Sequence, residues 1–174
     1  ASGRSTPRAD MTTIRQFIYS SPANAMELFA KLLETSDTAI KTRDRLFADL
    51  KEELELVIQR EEQHLFPVLK KHKETKELVR DALVDNRQTR KLLTELEHTP
   101  KDDESFMAKV AELRRSFQQH VRDEKKELLP AVMKALSDEE AEMVLAGIED
   151  EKAEIEAAKR AEAEQRRAEA RQER

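Results

Sequence analysis

The sequence predicts an all-α fold: an up-down-up-down antiparallel four-helix bundle with an additional long C-terminal helix. Helix breakers are scarce, since the 174 residues include two glycines and five prolines, and 40% of the residues are charged. Apolar residues recur at steps of three and four along several long segments, which is the spacing of core-facing helices. EEQHLFP, from Glu61, is echoed by EKKELLP, from Glu124, 63 residues later. Two helical hairpins of one design, joined in tandem, would form such a bundle.

The predicted organisation has three parts. Residues 1–11 are expected to be a flexible leader, residues 12–146 the four-helix bundle, and residues 147–174 a charged, solvent-exposed helical tail. A short amphipathic segment ends at Ser20-Ser21-Pro22. Ser137 and Glu140 form a capping box at the start of the last helix. The helices of the bundle are predicted at about 22–34, 38–71, 74–97 and 105–136, and Pro67 is expected to kink or end the second.

Composition excludes several classes of function. The net charge is −5 with acids and bases interleaved, which argues against a nucleic-acid partner. No run of 18 apolar residues predicts a membrane span, and the N-terminus lacks a signal-peptide segment, so we expect a cytoplasmic location. The absence of cysteine excludes disulfides. We find no nucleophile–base pair and no glycine-rich phosphate loop, so we expect no enzymatic activity.

Polar side chains interrupt the apolar stripes of three predicted helices. Glu61 lies in the second helix, Asn86 in the third, and His120 and Glu124 in the fourth, four residues apart on one face. Burying an unpaired carboxylate is costly, so these residues need a partner in the core. Carboxylates and imidazoles that converge between helices are how bundles build iron or manganese sites. The pattern predicts a metal group of Glu61, His120 and Glu124, with Asn86 as a further donor.

The order of these motifs resembles the hemerythrin-like family, the HHE cation-binding domain. The likeness covers about residues 13–146: Leu28-Phe29, then EE-x-x-LFP from Glu61, then H-x-x-x-E-x-x-x-LLP from His120, with the SDEE helix behind. The resemblance implies a di-iron site held by histidines and two carboxylates. Glu61, His120 and Glu124 match ligand positions, whereas three expected histidines fall on Pro22, Val57 and Asn86.

These departures favour one interpretation and leave a second open. The first is a non-catalytic hemerythrin-like bundle whose di-iron site is largely lost, with no cofactor, serving as a structural, regulatory or interaction module. Its two acids would pair with a charged His120, with Arg90 as a further partner, or one of the acids would stay protonated. The alternative is a protein that binds iron or another divalent metal ion through Glu61, His120 and Glu124, for oxygen or nitric oxide sensing, iron handling or redox protection.

Two weaker patterns remain. Glu61-x-x-His64 and Glu95-x-x-His98 match the Glu-x-x-His of ferritin-like carboxylate sites, although such spacings arise by chance in so acidic a chain. A protein partner could use the C-terminal helix or the N-terminal segment, and that segment could also meet a lipid surface. The apolar residues available there are Phe17, Ile18, Phe29 and Leu32.

Overall fold

The structure, a computed structural model, describes residues 9–174, and this part of the chain is helical without any strand, which confirms the all-α prediction. The first eight residues of the predicted leader lie outside the described residues. The helices are α1 (Ala9–Ser20), α2 (Ala23–Leu33), α3 (Ile40–Arg60), α4 (Phe66–Leu69), α5 (Lys76–Glu97), α6 (Glu104–Asp123), α7 (Leu129–Ala135) and α8 (Asp138–Gln172).

Four longer units make up the bundle. The first consists of α1 and α2, which are separated only by Ser21 and Pro22. The second runs from α3 to α4 and the fourth from α6 to α7, while α5 alone is the third. Successive units contact each other, α2 with α3 and α5 with α6, and α2 also packs on α6. Helix α8 is the additional element and lies against α1 and the residues that join α3 to α4.

The interior contains two apolar clusters with a polar layer between them. Phe29, Leu54, Leu93 and Phe117 belong to one cluster, together with most of α2 and the first part of α3. The other includes residues of α1, α4, α7 and α8: Ile14, Phe66, Leu69, Val132 and Ile148. In three of the four units, buried polar residues lie between the two apolar clusters. They are Glu61, Asn86 with Thr89, and His120.

A π-helical turn follows α3, over Glu61–Leu65, and another follows α6, over Glu124–Leu128. Each closes with a backbone bond that spans five residues: Phe66 N–H donates to the Glu61 carbonyl, and Leu129 N–H to the Glu124 carbonyl. Such turns insert one residue relative to an α-helix and are often found at functional sites. Pro67, which was expected to kink or end the second helix, comes directly after the first π turn, and Pro130 takes the same place after the second, in the first turns of α4 and α7. The helix continues past each proline.

The extra residue changes which side chains face the core. Leu65 and Phe66 are both buried although adjacent, and so are Leu128 and Leu129. Such pairs also occur in uninterrupted helices, as at Leu92 and Leu93 of α5, so the effect of the extra residue is seen further along the chain. The buried series beyond the first π turn continues with Leu69, whereas simple periodicity predicts Val68, which is only partly buried.

Helix α8 begins at the predicted capping box, in which Glu140 N–H donates to Ser137 Oγ and Ser137 N–H to Glu140 Oε1. Val144 and Ile148 dock it on the bundle, while Met143 points outward with 62% of its surface exposed. His64 of the first π turn reaches Glu151, and its ring lies against Gly147. From Glu156 onward every residue of α8 is exposed.

The apolar residues considered for a partner at the N-terminus are used inside the chain. Ile18, Phe29 and Leu32 are buried, and Phe17 packs partly buried against the same cluster as Ile18. No helix in the described part of the chain combines the length and the apolar character that a membrane span requires.

Candidate metal centre

Glu61, His120 and Glu124 meet in the polar layer. One ligating atom from each lies within 4.8 Å of the others, and within residues 9–174 this is the group of acids and histidines that could hold a metal ion. Glu61 is 5% exposed and His120 7% exposed. The structure thus brings together the three residues that the sequence pattern selected.

The π turns place both acids. Glu61 and Glu124 are each the first residue of their turn, and His120 lies one helical turn before Glu124. At this level α1 ends, and Ser21 and Pro22 link it to α2. The break brings the Ser21 side chain into the wall of the same cavity as the two acids.

The polar atoms of the site are buried without hydrogen-bond partners. His120 Nε2 lies 2.9 Å from Glu124 Oε1, yet neither atom has a partner in hydrogen-bond geometry. Glu61 Oε2 and Ser21 Oγ are likewise buried and unpartnered. Native structures leave few such atoms, and a convergent set calls for a specific explanation. A cation, to which the carboxylate and hydroxyl oxygens and a neutral imidazole nitrogen can all give a lone pair, would supply it.

These side chains line a small cavity of about 20 Å³. A cavity needs roughly 10–15 Å³ to hold one water-sized guest, so this one has room for a single small particle. Its walls also include Pro22 and Val57, positions at which the resemblance implies histidines. One side of the cavity is therefore polar and the other apolar.

Asp85 of α5 orients His120. The Nδ1–H of His120 donates to Asp85 Oδ2 at 3.0 Å, which turns Nε2 toward Glu124. A carboxylate on the far nitrogen of a ligating histidine is a recurrent feature of metal sites. Sequence reasoning missed Asp85 because it lies outside the apolar stripe of its helix. It also missed Ser21. The indication in the sequence was that Ser21 stands next to Pro22, where the helix breaks.

The two acids titrate differently. Burial, followed by the charge and contact of Glu124, raises the pKa of Glu61 well above its ordinary value. Burial also raises the pKa of Glu124, but contacts with His120 and Glu61 outweigh it, so the net pKa is lowered. In the metal-free site a proton therefore binds more readily to Glu61 than to Glu124.

His120 carries the compensating charge. Burial alone would lower its pKa, but the contact with Glu124, and after it that with Asp85, raise this pKa to about 9. A charged His120 that pairs with Glu124, as expected from the sequence, is the state these contacts favour near pH 7.

Other residues considered from the sequence lie elsewhere or play another part. Asn86 is buried with an unpartnered Nδ2, although it does not line the cavity. Arg90 pairs with Glu62 at 2.8 Å and not with the acids of the site, so the suggested partnership is wrong. His64 bonds Glu151 and His98 bonds the Thr94 carbonyl, which leaves no ferritin-like set. His72, expected to be an exposed helix-end residue, is half-buried and pairs with Glu140.

The donor set does not fit two irons. It supplies one imidazole and two carboxylates, and Pro22 and Val57 offer no donor side chain at two of the implied histidine positions. The same set fits one divalent first-row cation, for which mixed oxygen and imidazole ligands are suitable.

Comparison with known proteins gives one positive result. A family model described as the hemerythrin HHE cation binding domain matches residues 16–132. No curated protein and no solved structure matches the chain. The match spans more than half of the chain and contains the whole candidate centre. The chain belongs to the hemerythrin HHE cation-binding domain family.

Proposed function

We propose that this protein is a non-catalytic hemerythrin-like bundle that has lost its di-iron centre and binds a single divalent cation as a structural or regulatory module. Glu61, His120 and Glu124 would be its ligands, with Ser21 adjacent. The observation that carries the proposal is the convergence of four buried, unpartnered polar atoms on a cavity of about 20 Å³.

The electrostatics of the site support a cation. Two buried acids face each other, and in the metal-free protein their repulsion raises the pKa of Glu61 while a charged His120 offsets the charge of Glu124. A divalent ion would provide the same relief with two carboxylates and a neutral imidazole. Binding would therefore release protons and stabilise the folded state, as ligation usually does.

A redox function is less well supported. Sensing of oxygen or nitric oxide, iron handling and redox protection, as implied by the resemblance, rest on imidazole-rich iron centres. Here the neighbouring side of the cavity consists of Pro22, Val57, Phe117 and other side chains that are not ligands. We accordingly favour a structural or regulatory role for the ion.

Stoichiometry tests the proposal. Protein produced in iron-rich medium and protein reconstituted with Fe²⁺ or Mn²⁺ without oxygen should hold at most one ion per chain, and saturation should raise the melting temperature. His120→Ala should abolish this binding. The control, His98→Ala, removes an exposed histidine at a helix end and should bind as the parent does. Near two irons per chain, or unchanged metal content in His120→Ala, would refute the assignment.

A further inference from the structure

Helix α8 packs on two elements that form part of the wall of the small cavity at the candidate centre. Its main contacts with the bundle are with α1 and with the first π turn. Helix α1 contributes Phe17 and Ile18 to the cavity wall, and the π turn contributes Glu61 and Leu65. The residues that line the cavity include none from α8 itself. This helix is therefore a layer behind the centre.

Two pairs of a histidine with a carboxylate hold the first half of α8. His72 Nε2 lies 2.8 Å from Glu140 Oε2, and His64 Nε2 lies 2.8 Å from Glu151 Oε2. On α8 the two acids are about three helical turns apart. The section that packs on the bundle is thus fastened at both of its ends.

Apolar packing joins the same section to the cavity wall. Val144 and Ile148 of α8 are each 2% exposed, and they belong to one cluster with Ile18 and Leu65. Both of the latter residues line the cavity. Because protein interiors are close-packed, release of α8 would remove the support behind these two wall residues.

The first π turn connects the candidate centre to α8 most directly. Its first residue, Glu61, is a candidate ligand, and His64 in the same five-residue turn pairs with Glu151. The turn closes through the bond from Phe66 N–H to the Glu61 carbonyl. A change in the shape of this short stretch of backbone therefore moves both the ligand and the side chain that holds α8.

We propose that a divalent cation in the centre and the docking of α8 stabilise each other through the first π turn. With α8 docked, His64 and Leu65 hold the turn so that Glu61 is ordered before the ion arrives. With α8 released, this ordering has to accompany binding, so the affinity falls. Linkage requires that the ion tightens the docking of α8 by the same factor. The coupling rests on the cation binding proposed above, and it makes α8 the part of the protein that responds to occupancy of the centre.

Hydrogen exchange with and without saturating Mn²⁺ measures the effect of the ion on α8. In the metal-free protein, amides of residues 141–151 should exchange faster than those of residues 46–54, which lie in the other apolar cluster, because α8 opens while the bundle stays folded. Bound Mn²⁺ should slow exchange in residues 141–151 roughly tenfold, within the usual range of coupling between sites. Exchange in α8 that matches residues 46–54 without metal, or that Mn²⁺ leaves unchanged, would overturn the proposal.

The reciprocal measurement is the Mn²⁺ affinity of variants that release α8. Val144→Asp places a charge on the buried face and should lower the affinity roughly tenfold, the same factor as in exchange. Met143→Asp introduces the same charge at an exposed neighbour and should bind as the parent does. The milder combination of Val144→Ala with Ile148→Ala should lower the affinity to a smaller extent, and it replaces the aspartate variant if that one fails to fold. Parental affinity in the folded α8 variants would overturn the coupling.

The route through the π turn has its own matched pair of variants. Glu151→Gln removes the charged partner of His64, so the slowing of α8 by Mn²⁺ should fall from roughly tenfold to less than about threefold. Glu154→Gln, at an exposed acid of the same helix, should keep the full effect. Equal slowing in the two variants would refute the role of His64. Absence of one-to-one Mn²⁺ binding by the parent would refute the proposed function and the coupling together, whereas normal binding with unchanged α8 exchange would refute the coupling alone.

Discussion

His64 Nε2 lies 2.8 Å from Glu151 Oε2, so a residue of the first π turn holds α8 against the bundle. The ring of His64 also occupies the space above Gly147, where an added Cβ would meet Nδ1 at 2.6 Å. Glycine in the middle of a helix normally reduces its stability. Here the glycine makes room for the contact that docks the helix.

Gly147→Ala should therefore destabilise the parent, by about 1–2 kcal/mol, because the His64 ring has to move and its pairing with Glu151 is disturbed. In a His64→Ala background the same substitution should stabilise by up to about 1 kcal/mol, the usual gain in helix propensity. Chemical unfolding of the four proteins of this cycle measures the coupling. If Gly147→Ala has the same effect in both backgrounds, the steric explanation is wrong.

The His120 pKa of about 9 makes the metal-free protein less stable at high pH. Its ordinary value is 6.5, so its contribution to stability is complete below pH 6.5 and is lost as pH rises through about 9. That contribution amounts to about 3 kcal/mol. Urea unfolding between pH 6 and 9.5 in chelator should show the fall, and an NMR titration should place the His120 transition near 9. A transition at 6.5 would contradict the assigned contacts.

Glu61→Gln should stabilise the metal-free protein and weaken cation binding. The raised pKa of Glu61 means that ionising it in the core costs stability above pH 4.5, and glutamine removes that cost while it keeps the shape. We expect a gain of about 1–2 kcal/mol in unfolding free energy at pH 8 in chelator. Cation affinity should fall at least about tenfold. Glu62→Gln, which removes the neighbouring acid outside the centre, should retain affinity.

Arg43 closes the far end of the bundle. It is 3% exposed and donates to Lys101 O at 2.6 Å, Thr35 Oγ1 at 2.9 Å and Thr35 O at 3.1 Å. Arg43→Met should cost about 2–4 kcal/mol, since two part-buried carbonyls lose their donor and three hydrogen bonds are removed. Arg45→Met, two residues along on the exposed face, should change the unfolding free energy by less than about 0.5 kcal/mol. Equal costs for both would contradict this role.

Periodicity predicted most of the fold because each long helix alternates apolar and charged faces with few breakers. Glu61, His120 and Glu124 were also predictable, since a polar residue within an apolar stripe is visible without a structure. Asp85 and Ser21 were not, because one lies off the stripe of α5 and the other at a helix break. Whether Arg90 reaches Glu62 or the acids of the site depends on how the helices are rotated about their own axes. The spacing of residues along one helix does not determine that rotation.

The two π turns show that the internal repeat extends to the geometry of the helices. Each rotates the helix beyond it by about 100° relative to an uninterrupted α-helix, and after the first turn Leu69 is buried where simple periodicity predicts Val68. Deleting Gln63 would restore the ordinary helical pitch. The residues beyond it, Leu69 among them, would then turn away from the core. The internal repeat thus duplicates a change of helical phase as well as a set of residues. Each copy begins that phase change with an acid, Glu61 or Glu124, whereas a histidine four residues before the acid occurs only in the second copy, at His120.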